Sequence, residues 1–586
     1  MDKKNQIIGI LCVICAFVLM FKLDSSKHGA VSENEQRSSQ AIQKKPIGKK
    51  NESKKTEKVA RYSAPIVKDE KVVLENDLVK VEFSVGCGAI DRVFLKKYKK
   101  IQNGEDLIIF NEGERCPALG LLIGLSHGDG EAYVSGFSVK SFDDQAVVFS
   151  RIDEDGFGIE RSYFLPKRDG KESNAYLIKH RTVLLNHSDT AMSLKKISLN
   201  LGSIPATEGD VSGDYLNFGY YDGKSAEFIK SRDFIASKGF FGLGKRDSRD
   251  YISEKRNIVW GSIKNQFFTA ILTPSIRANG FCARPVLLND SALGHKDEGI
   301  AAEMMFKIDD VAAQGEYGLD LDFYVGPKDL VRLDRMHNRQ DLVMQFGFFG
   351  IISKFLLFIM LGIYSFLPNW GLAIILLTVV VKLCLWPLTT AQVRASKKMS
   401  AVQAPLKAIR EKYKNNPSKI QSETMRLFKL HRINPAAGCL PIFIQIPIFF
   451  GLYFMLRTSS ELRFAHFLWI KDLSIADTIA YISGFPVNIL PLIMSVTMAL
   501  QMHMTPMPSA DGSSKTIFKL MPLIFLLCCY SFPSGLVLYW TVQNILTIVQ
   551  QHIVSRRRDM QVERLLEADL PAKKGKHGRK KKDFTK

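Results

Sequence analysis

Where the uncharged apolar stretches fall decides most of what this chain can become. One, residues 7–21 (IIGILCVICAFVLMF), follows Lys3 and Lys4; all the others come after residue 343, at 344–367, 371–388, 438–456, 478–502, 517–532 and 534–554. An α-helix needs about 20 apolar residues to cross the hydrocarbon of a bilayer, so these runs describe a polytopic membrane protein with one large polar insert. The composition demands the same segregation, because 46% apolar residues coexist with 24% charged ones. The first run just spans if it is counted from Ile7 to Leu23 with Lys22 reaching back to the interface. It is either a cleaved secretory signal or an uncleaved anchor. The anchor is expected, because KLDSSKHGAVS offers no clear small-x-small cleavage site and no small residues precede Cys12 and Cys15 for lipid attachment.

Charge supplies the orientation. Eighty Lys and Arg against 59 Asp and Glu leave a net +21, which points to nucleic acid, an anionic membrane surface or the ribosome. Loop 391–432 carries eleven Lys and Arg against Glu411 and Glu423, and the tail 555–586 carries twelve against five acids, whereas loop 457–477 has three of each sign. Positive loops stay inside, so 391–432 and the tail are expected in the cytoplasm and 457–477 on the other side. Parity then limits the crossings. With the amino terminus inside, three apolar runs precede loop 391–432 and one of them must not cross. Run 344–367, with Lys354 and a weak polar edge (Gly350, Ser353, Lys354, Ser365), is expected to lie along the outer interface; the alternative is a true span with the amino terminus outside. Five spans follow, at 371–388, 438–456, 478–502, 517–532 and 534–554.

Residues 24–62 are rich in Ser, Lys, Glu and Gln with almost no apolar anchor, the composition of a flexible tether. From 63 to 330, alternating runs such as LVKVEFSV (78–85), QAVVFSRI (145–152), GIERSYFL (158–165), AYLIKHRTVLL (175–185) and LDLDFYV (319–325) stand between Gly, Asn and Asp turns. This is an antiparallel pattern and predicts a β-sandwich outside the membrane. Asp153, Glu154 and Asp155 are read as a solvated turn, since no calcium-loop spacing surrounds them. The nine cysteines show no paired CxxC spacing, which disfavours zinc and a disulfide framework; a single bridge among Cys87, Cys116 and Cys282 stays open. The chain has no phosphate loop, HExxH or GxSxG, so neither an ATP-driven pump nor a hydrolase is supported.

Polar groups inside the apolar runs carry the functional signal. Lys382, in AIILLTVVVKLCLWP, would cost at least about 2.5 kcal/mol in lipid if unpaired. It either reaches to the inner interface or joins Thr378 and Thr389, at i−4 and i+7, in a polar stripe facing other helices. In the last run Trp540, Asn544, Thr547 and Gln551 recur at i, i+4, i+7 and i+11, and Gln445 adds an amide to 438–456. Two amide-bearing spans beside a lysine point to a wetted cavity. No Asp or Glu lies within the five spans except near their ends, which argues against a proton or sodium relay. In loop 391–432, Met399, Val402, Leu406, Ile409 and Tyr413 mark the seam of a helical hairpin, with Asn416 as N-cap and Pro417 as first residue of its second helix.

The segments NWGLAIILLTVVVKLCLWPLTTAQ (369–392), INPAAGCLPIFIQIPIFFGLYFML (433–456), ELRFAHFLWIKDLS (461–474) and FPSGLVLYWTVQNILTIVQQ (532–551) resemble the YidC/Oxa/Alb insertase family. WGSIKNQFFTAILTP (260–274) and YVGPKDL (324–330) extend the likeness to the periplasmic insert of the Gram-negative form. The resemblance implies an α-helical polytopic protein with a five-helix insertase core (369–555), an N-terminal anchor helix (1–23), a linker (24–62) and an all-β periplasmic β-supersandwich (63–330). It also implies an interfacial helix within 331–368 and a basic cytoplasmic tail (556–586). It further implies a positively charged groove open to cytoplasm and lipid, in which Lys382 stands where the family usually has Arg. Thr378, Tyr539 and Trp540 match substrate-contacting positions, and Gln445 and Asn544 join them as candidate groove residues. The function so implied is insertion and chaperoning of nascent inner-membrane proteins, without cofactor. Expected partners are the nascent chain, the Sec translocon, the ribosome (through hairpin and tail) and anionic lipids. The rivals are a secondary transporter or channel, and a sugar-processing enzyme built on the β-domain.

Overall fold

The computed structural model describes residues 70–556 apart from 113–115, 125–130, 169–173, 195, 208–209, 211–212, 214, 237–245, 289–297, 432–439 and 505–511. The expected anchor 1–23, the linker 24–62, Cys12, Cys15, Cys439 and the tail beyond Arg556 lie outside the described residues. Contacts group the described chain into two units. One is helical (Gly347–Leu456 and 462–556); the other is mostly β (70–346 and Arg457–Glu461).

In the β unit, sequence alternation becomes three antiparallel sheets. A four-stranded sheet runs in chain order through Lys71–Glu75, Val79–Ser84, Ala89–Lys99 and Leu107–Phe110. A nine-stranded sheet is ordered Ala226–Lys230, Asn217–Tyr221, Trp260–Lys264, Phe268–Pro274, Glu316–Pro327, Leu177–Asn186, Phe157–Phe164, Ala146–Ile152 and Ser138–Phe142. A six-stranded sheet is ordered Ile252–Ile258, Ala278–Leu287, Glu298–Phe306, Lys196–Pro205, Leu121–Gly124 and Glu131–Tyr133. Inward side chains of the two larger sheets interlock. Phe281 packs on Phe218 and Tyr220 (ring centroids 4.8 and 5.0 Å), and a Cβ at Gly261 would stand 2.6 Å from the Met304 sulfur. Phe83 joins the small sheet to Tyr163 (4.8 Å). Where the register of Lys196–Pro205 shifts between Asn200 and Ser203, Gly202 holds φ +85°, a conformation L side chains avoid.

Asp153, Glu154 and Asp155 lie in the turn between two of these strands, with Asp153 paired to Arg151 (2.6 Å). Cys87, Cys116 and Cys282 form no disulfide with one another. After the last strand, Asp329 caps a one-turn helix, α1 (Leu330–Asp334), by accepting from the Val331 and Arg332 amides. Residues 338–345 then pack against two interior strands of the nine-stranded sheet, Trp260–Lys264 and Phe268–Pro274. Trp260 Nε1 donates to the Asn338 carbonyl, and Lys264 Nζ donates to the Val343 carbonyl and to Gln345 Oε1 (2.5 and 2.6 Å).

The helical unit contains α2 (Gly350–Phe366), α3 (Trp370–Cys384), α4 (Trp386–Ala401), α5 (Gln403–Lys412), α6 (Pro417–Leu430), α7 (Leu440–Thr458), α8 (Ile489–Met504), α9 (Gly512–Cys529) and α10 (Ser534–Arg556). Three expectations need correction. First, 371–388 is not one helix: α3 stops at Cys384, and α4 leaves at 63°. Pro387 cannot donate to the Leu383 carbonyl and its ring crowds the preceding turn, so Thr389 does not continue the helical face of Lys382. Second, 478–502 is not one span. Thr478–Ile482 and Phe485–Asn488 form a β-hairpin, and only Ile489–Met504 is helical. Third, the polar edge of 344–367 is not one face in a common environment: Ser365 is exposed and Lys354 half-buried. Ser353 is buried and donates to the Gly451 carbonyl (2.9 Å), while Phe348, Ile351, Phe355 and Phe358 form the exposed side.

Among the described residues, Gly347–Phe366 is the one continuous helix long and apolar enough to cross a membrane, and the bent α3–α4 pair passes the same test together. A small residue lets the loop after α7 approach α3 closely: a Cβ on Gly371 would fall 2.1 Å from the Phe467 ring. The α5–α6 hairpin forms as the seam predicts. Val402 and Leu406 are buried, Leu427 and Phe428 pack against Met399 and Val402, and Asn416 accepts from the Lys419 amide with Pro417 as the first helical residue.

Candidate functional site

The candidate site is assembled on one side of α10. Lys382 lies in the last turn of α3 and is 3% exposed; its Nζ donates to Thr547 Oγ1 of α10 (2.8 Å). Thr547 Oγ1 in turn donates to the Gln543 carbonyl one turn back (2.7 Å). The ammonium thus faces a hydroxyl, and no ion pair forms to it among the described residues. One turn on, the buried Gln550 Nε2 donates to Thr389 Oγ1 (2.7 Å) and Thr390 Oγ1 (3.1 Å), and Lys397 Nζ of α4 donates to the Val554 carbonyl (3.0 Å). These bonds tie α10 to α3 and α4 along Gln543, Thr547 and Gln550, a line at i, i+4 and i+7.

The other candidate residues divide between this line and the neighbouring faces of α10. Thr378 is fully buried and its hydroxyl donates to the Ile374 carbonyl of its own helix (2.7 Å). Gln445 of α7 donates to the Tyr539 hydroxyl (2.8 Å), which links α7 to α10. Trp540 is half-buried between the edges of Phe449 of α7 and Phe525 of α9 (centroids 4.8 and 4.9 Å). Asn544 turns to α8, where its Nδ2 reaches Thr497 Oγ1 (3.3 Å) and the Met494 carbonyl (3.4 Å).

The stripe Trp540, Asn544, Thr547, Gln551 is therefore not one continuous wall: of its members only Thr547 meets Lys382. Gln543 and Gln550 are the members that sequence reading missed. Their own i, i+4, i+7 spacing through Thr547 was a usable signal, obscured because Asn544 and Gln551 offer a parallel line one residue over. Both leave a buried amide oxygen without a hydrogen-bond partner among the described residues.

Against known proteins, the chain matches a family described as "60Kd inner membrane protein" over residues 362–561 and one described as "YidC periplasmic domain" over 71–359. Curated relatives carry the name "Membrane protein insertase YidC". The protein of Syntrophobacter fumaroxidans is 38% identical over 311 residues, covering 52% of this chain and 54% of its own length. That of Laribacter hongkongensis is 33% identical over 405 residues, covering 68% and 69%. That of Lawsonia intracellularis is 29% identical over 513 residues, covering 85% and 88%. The chain thus spans about half the length of the first relative and more than two thirds of the other two.

Proposed function

The chain belongs to the YidC family of membrane protein insertases, and on that premise we propose that it inserts nascent inner-membrane proteins through a polar groove between α3 and α10 in which Lys382 supplies the charge. The observation that carries this reading is the partner set of Lys382: a buried ammonium held by one neutral hydroxyl, with no carboxylate paired to it among the described residues. An acidic flank of an incoming segment supplies the missing counter-charge. The spare acceptors of Gln543 and Gln550 bind water or the donors of a passing backbone, whose desolvation in lipid would otherwise cost several kcal/mol per group. The aromatic set of Trp540, Phe449 and Phe525 gives the hydrophobic segment a surface on its way to lipid. No bond chemistry is needed.

The finer architecture is part of the same proposal. The spans are α3 with the start of α4, α7, α8, α9 and α10, preceded by an anchor at 1–23, with α2 along the outer interface, 63–330 as a periplasmic β-supersandwich and loop 391–432 in the cytoplasm. The basic faces of the α5–α6 hairpin and the tail 556–586 engage the ribosome or anionic lipid, and some substrates pass by way of the Sec translocon. The direct test is reconstitution. Vesicles containing the full chain should protect the translocated flank of a small single-span test protein from added protease, and empty vesicles should not. Equal protection in both would overturn the reading.

A further inference from the structure

The hairpin Thr478–Asn488 has no part in the groove, yet it is built with care. Its two turn residues, Ser483 and Gly484, hold φ of 51° and 82°, as a two-residue loop between twisted strands requires. Its base is locked: Thr478 Oγ1 donates to Asn488 Oδ1 (2.7 Å), Asn488 Nδ2 donates to the Tyr530 carbonyl (2.7 Å), and the Tyr530 hydroxyl donates to the Pro486 carbonyl (2.6 Å). Its far end is largely exposed, Tyr481, Ile482 and Phe485 by 72%, 67% and 62%, with the Phe485 ring touching Tyr530 on one side (centroids 5.4 Å).

Residues 478–502 contain no Asp, Glu, Lys or Arg. In water, a two-stranded ribbon with open edges, apolar side chains and no charge would be a site of self-association. Successive strand residues point to opposite faces, so Tyr481 and Ile482 make both faces apolar, and a protein docked on one face would leave the other wet. A lipid boundary covers both. The hairpin also runs without a break into α8, whose exposed Leu492, Val496 and Leu500 are apolar. Five strand residues at about 3.3 Å each keep the tip within about 17 Å of that helix.

We infer that the hairpin 478–488 is an interfacial anchor whose tip seats at the boundary between headgroups and acyl chains of the outer leaflet. The Tyr481 hydroxyl stays at headgroup level, the usual place of tyrosine in membranes, while Ile482 and Phe485 enter the acyl region. This rests on the proposed reading of α8 as a spanning helix.

The test uses the full chain in vesicles of phosphatidylethanolamine and phosphatidylglycerol, with the photo-reactive p-benzoylphenylalanine placed singly at Tyr481, at Val496 on the exposed side of α8, or at the exposed Ile152 of the β unit. Lipid adducts at 481 should come within about threefold of those at 496 and exceed those at 152 by about tenfold. Adducts at 481 as scarce as at 152, with 496 still linked to lipid, would overturn the anchor and leave the spanning reading standing. Scarce adducts at 496 as well would overturn both. Adducts at 481 to a second copy of the chain in place of lipid would also overturn the anchor. Ile482→Asp, which opposes burial without touching the locked base, should reduce lipid adducts at 481 by about tenfold; an unchanged yield would count against the inference.

Discussion

Both units of this protein bury lysine, and they do it differently. In the β unit Lys264 is 1% exposed, donates to the Val343 carbonyl and Gln345 Oε1, and lies 4.5 Å from the centroid of the Phe228 ring. In the helical unit Lys382 is almost as buried but, among the described residues, meets only the Thr547 hydroxyl. The first lysine is a staple whose donors are used by the fold. The second keeps unused donor capacity and pairs with no carboxylate among the described residues, an arrangement that stability alone does not explain. The proposed groove rests on this second kind of burial, in which one hydroxyl is the partner.

The largest expected effect is on titration within the β unit. Burial lowers the neighbouring Lys328 of the β unit to about 7, against an opposing pull from Asp210, and burial beside Lys328 and Lys230 pushes Lys264 well below the usual lysine range. Between pH 7 and the unfolded value of 10.5 the unfolded chain therefore holds more protons at Lys328 than the folded one. Stability rises as pH climbs through that window, and below it both states are protonated and the penalty is complete and flat. At about 1.4 kcal/mol per pH unit the upper limit is about 5 kcal/mol. Hydrogen exchange of the β strands in the full protein should show this slope, and Lys328→Met should reduce it to the share left by Lys264; the same slope in the variant would assign it elsewhere.

Lys264→Ala leaves two acceptors unpaired and a void beside Phe228, and should cost the β unit about 2–4 kcal/mol, read as faster exchange in Trp260–Lys264. A smaller loss is expected from Asp477→Ala. The Asp477 carboxylate accepts from the Leu490 amide (2.6 Å) and from Trp469 Nε1 (3.2 Å), so its removal should cost about 1–2 kcal/mol and fray the start of α8. Lys382→Met should be the mildest for folding, within about 1 kcal/mol, measured by denaturant titration in detergent. If it destabilised the protein as much as Lys264→Ala does, the distinction between the two lysines would fail.

How much of this the sequence disclosed follows from the range of the interactions involved. Alternation in QAVVFSRI and GIERSYFL gave strands where they stand, and Asn416–Pro417 gave a helix start, because both signals are local. The apolar run 478–502 was misleading because hydropathy alone does not separate strand from helix; the Ser483–Gly484 pair and Pro486 were the deciding residues. Pro387 similarly broke a run that looked continuous. Lys382 stood out as a charge among apolar residues, but its choice of Thr547 over Asn544 depends on how α10 is rotated against α3 and α8, which no spacing rule within one helix can fix. The order of the nine-stranded sheet, with Glu316–Pro327 between Phe268–Pro274 and Leu177–Asn186, was likewise beyond the sequence, since it joins strands far apart in the chain.

The central claim is that Lys382 acts through its charge, and reversing that charge tests it most directly. In reconstituted vesicles, a set of single-span test proteins identical except for acidic, neutral or basic translocated flanks is inserted by the native chain, by Lys382→Arg and by Lys382→Glu. The account predicts that Lys382→Arg behaves as native, and that Lys382→Glu loses insertion of the acidic-flank protein by about tenfold or more while sparing the neutral one and improving the basic one. Equal loss for all three flanks, with the variant folded and present in the vesicles, would contradict it and make Lys382 a second structural lysine.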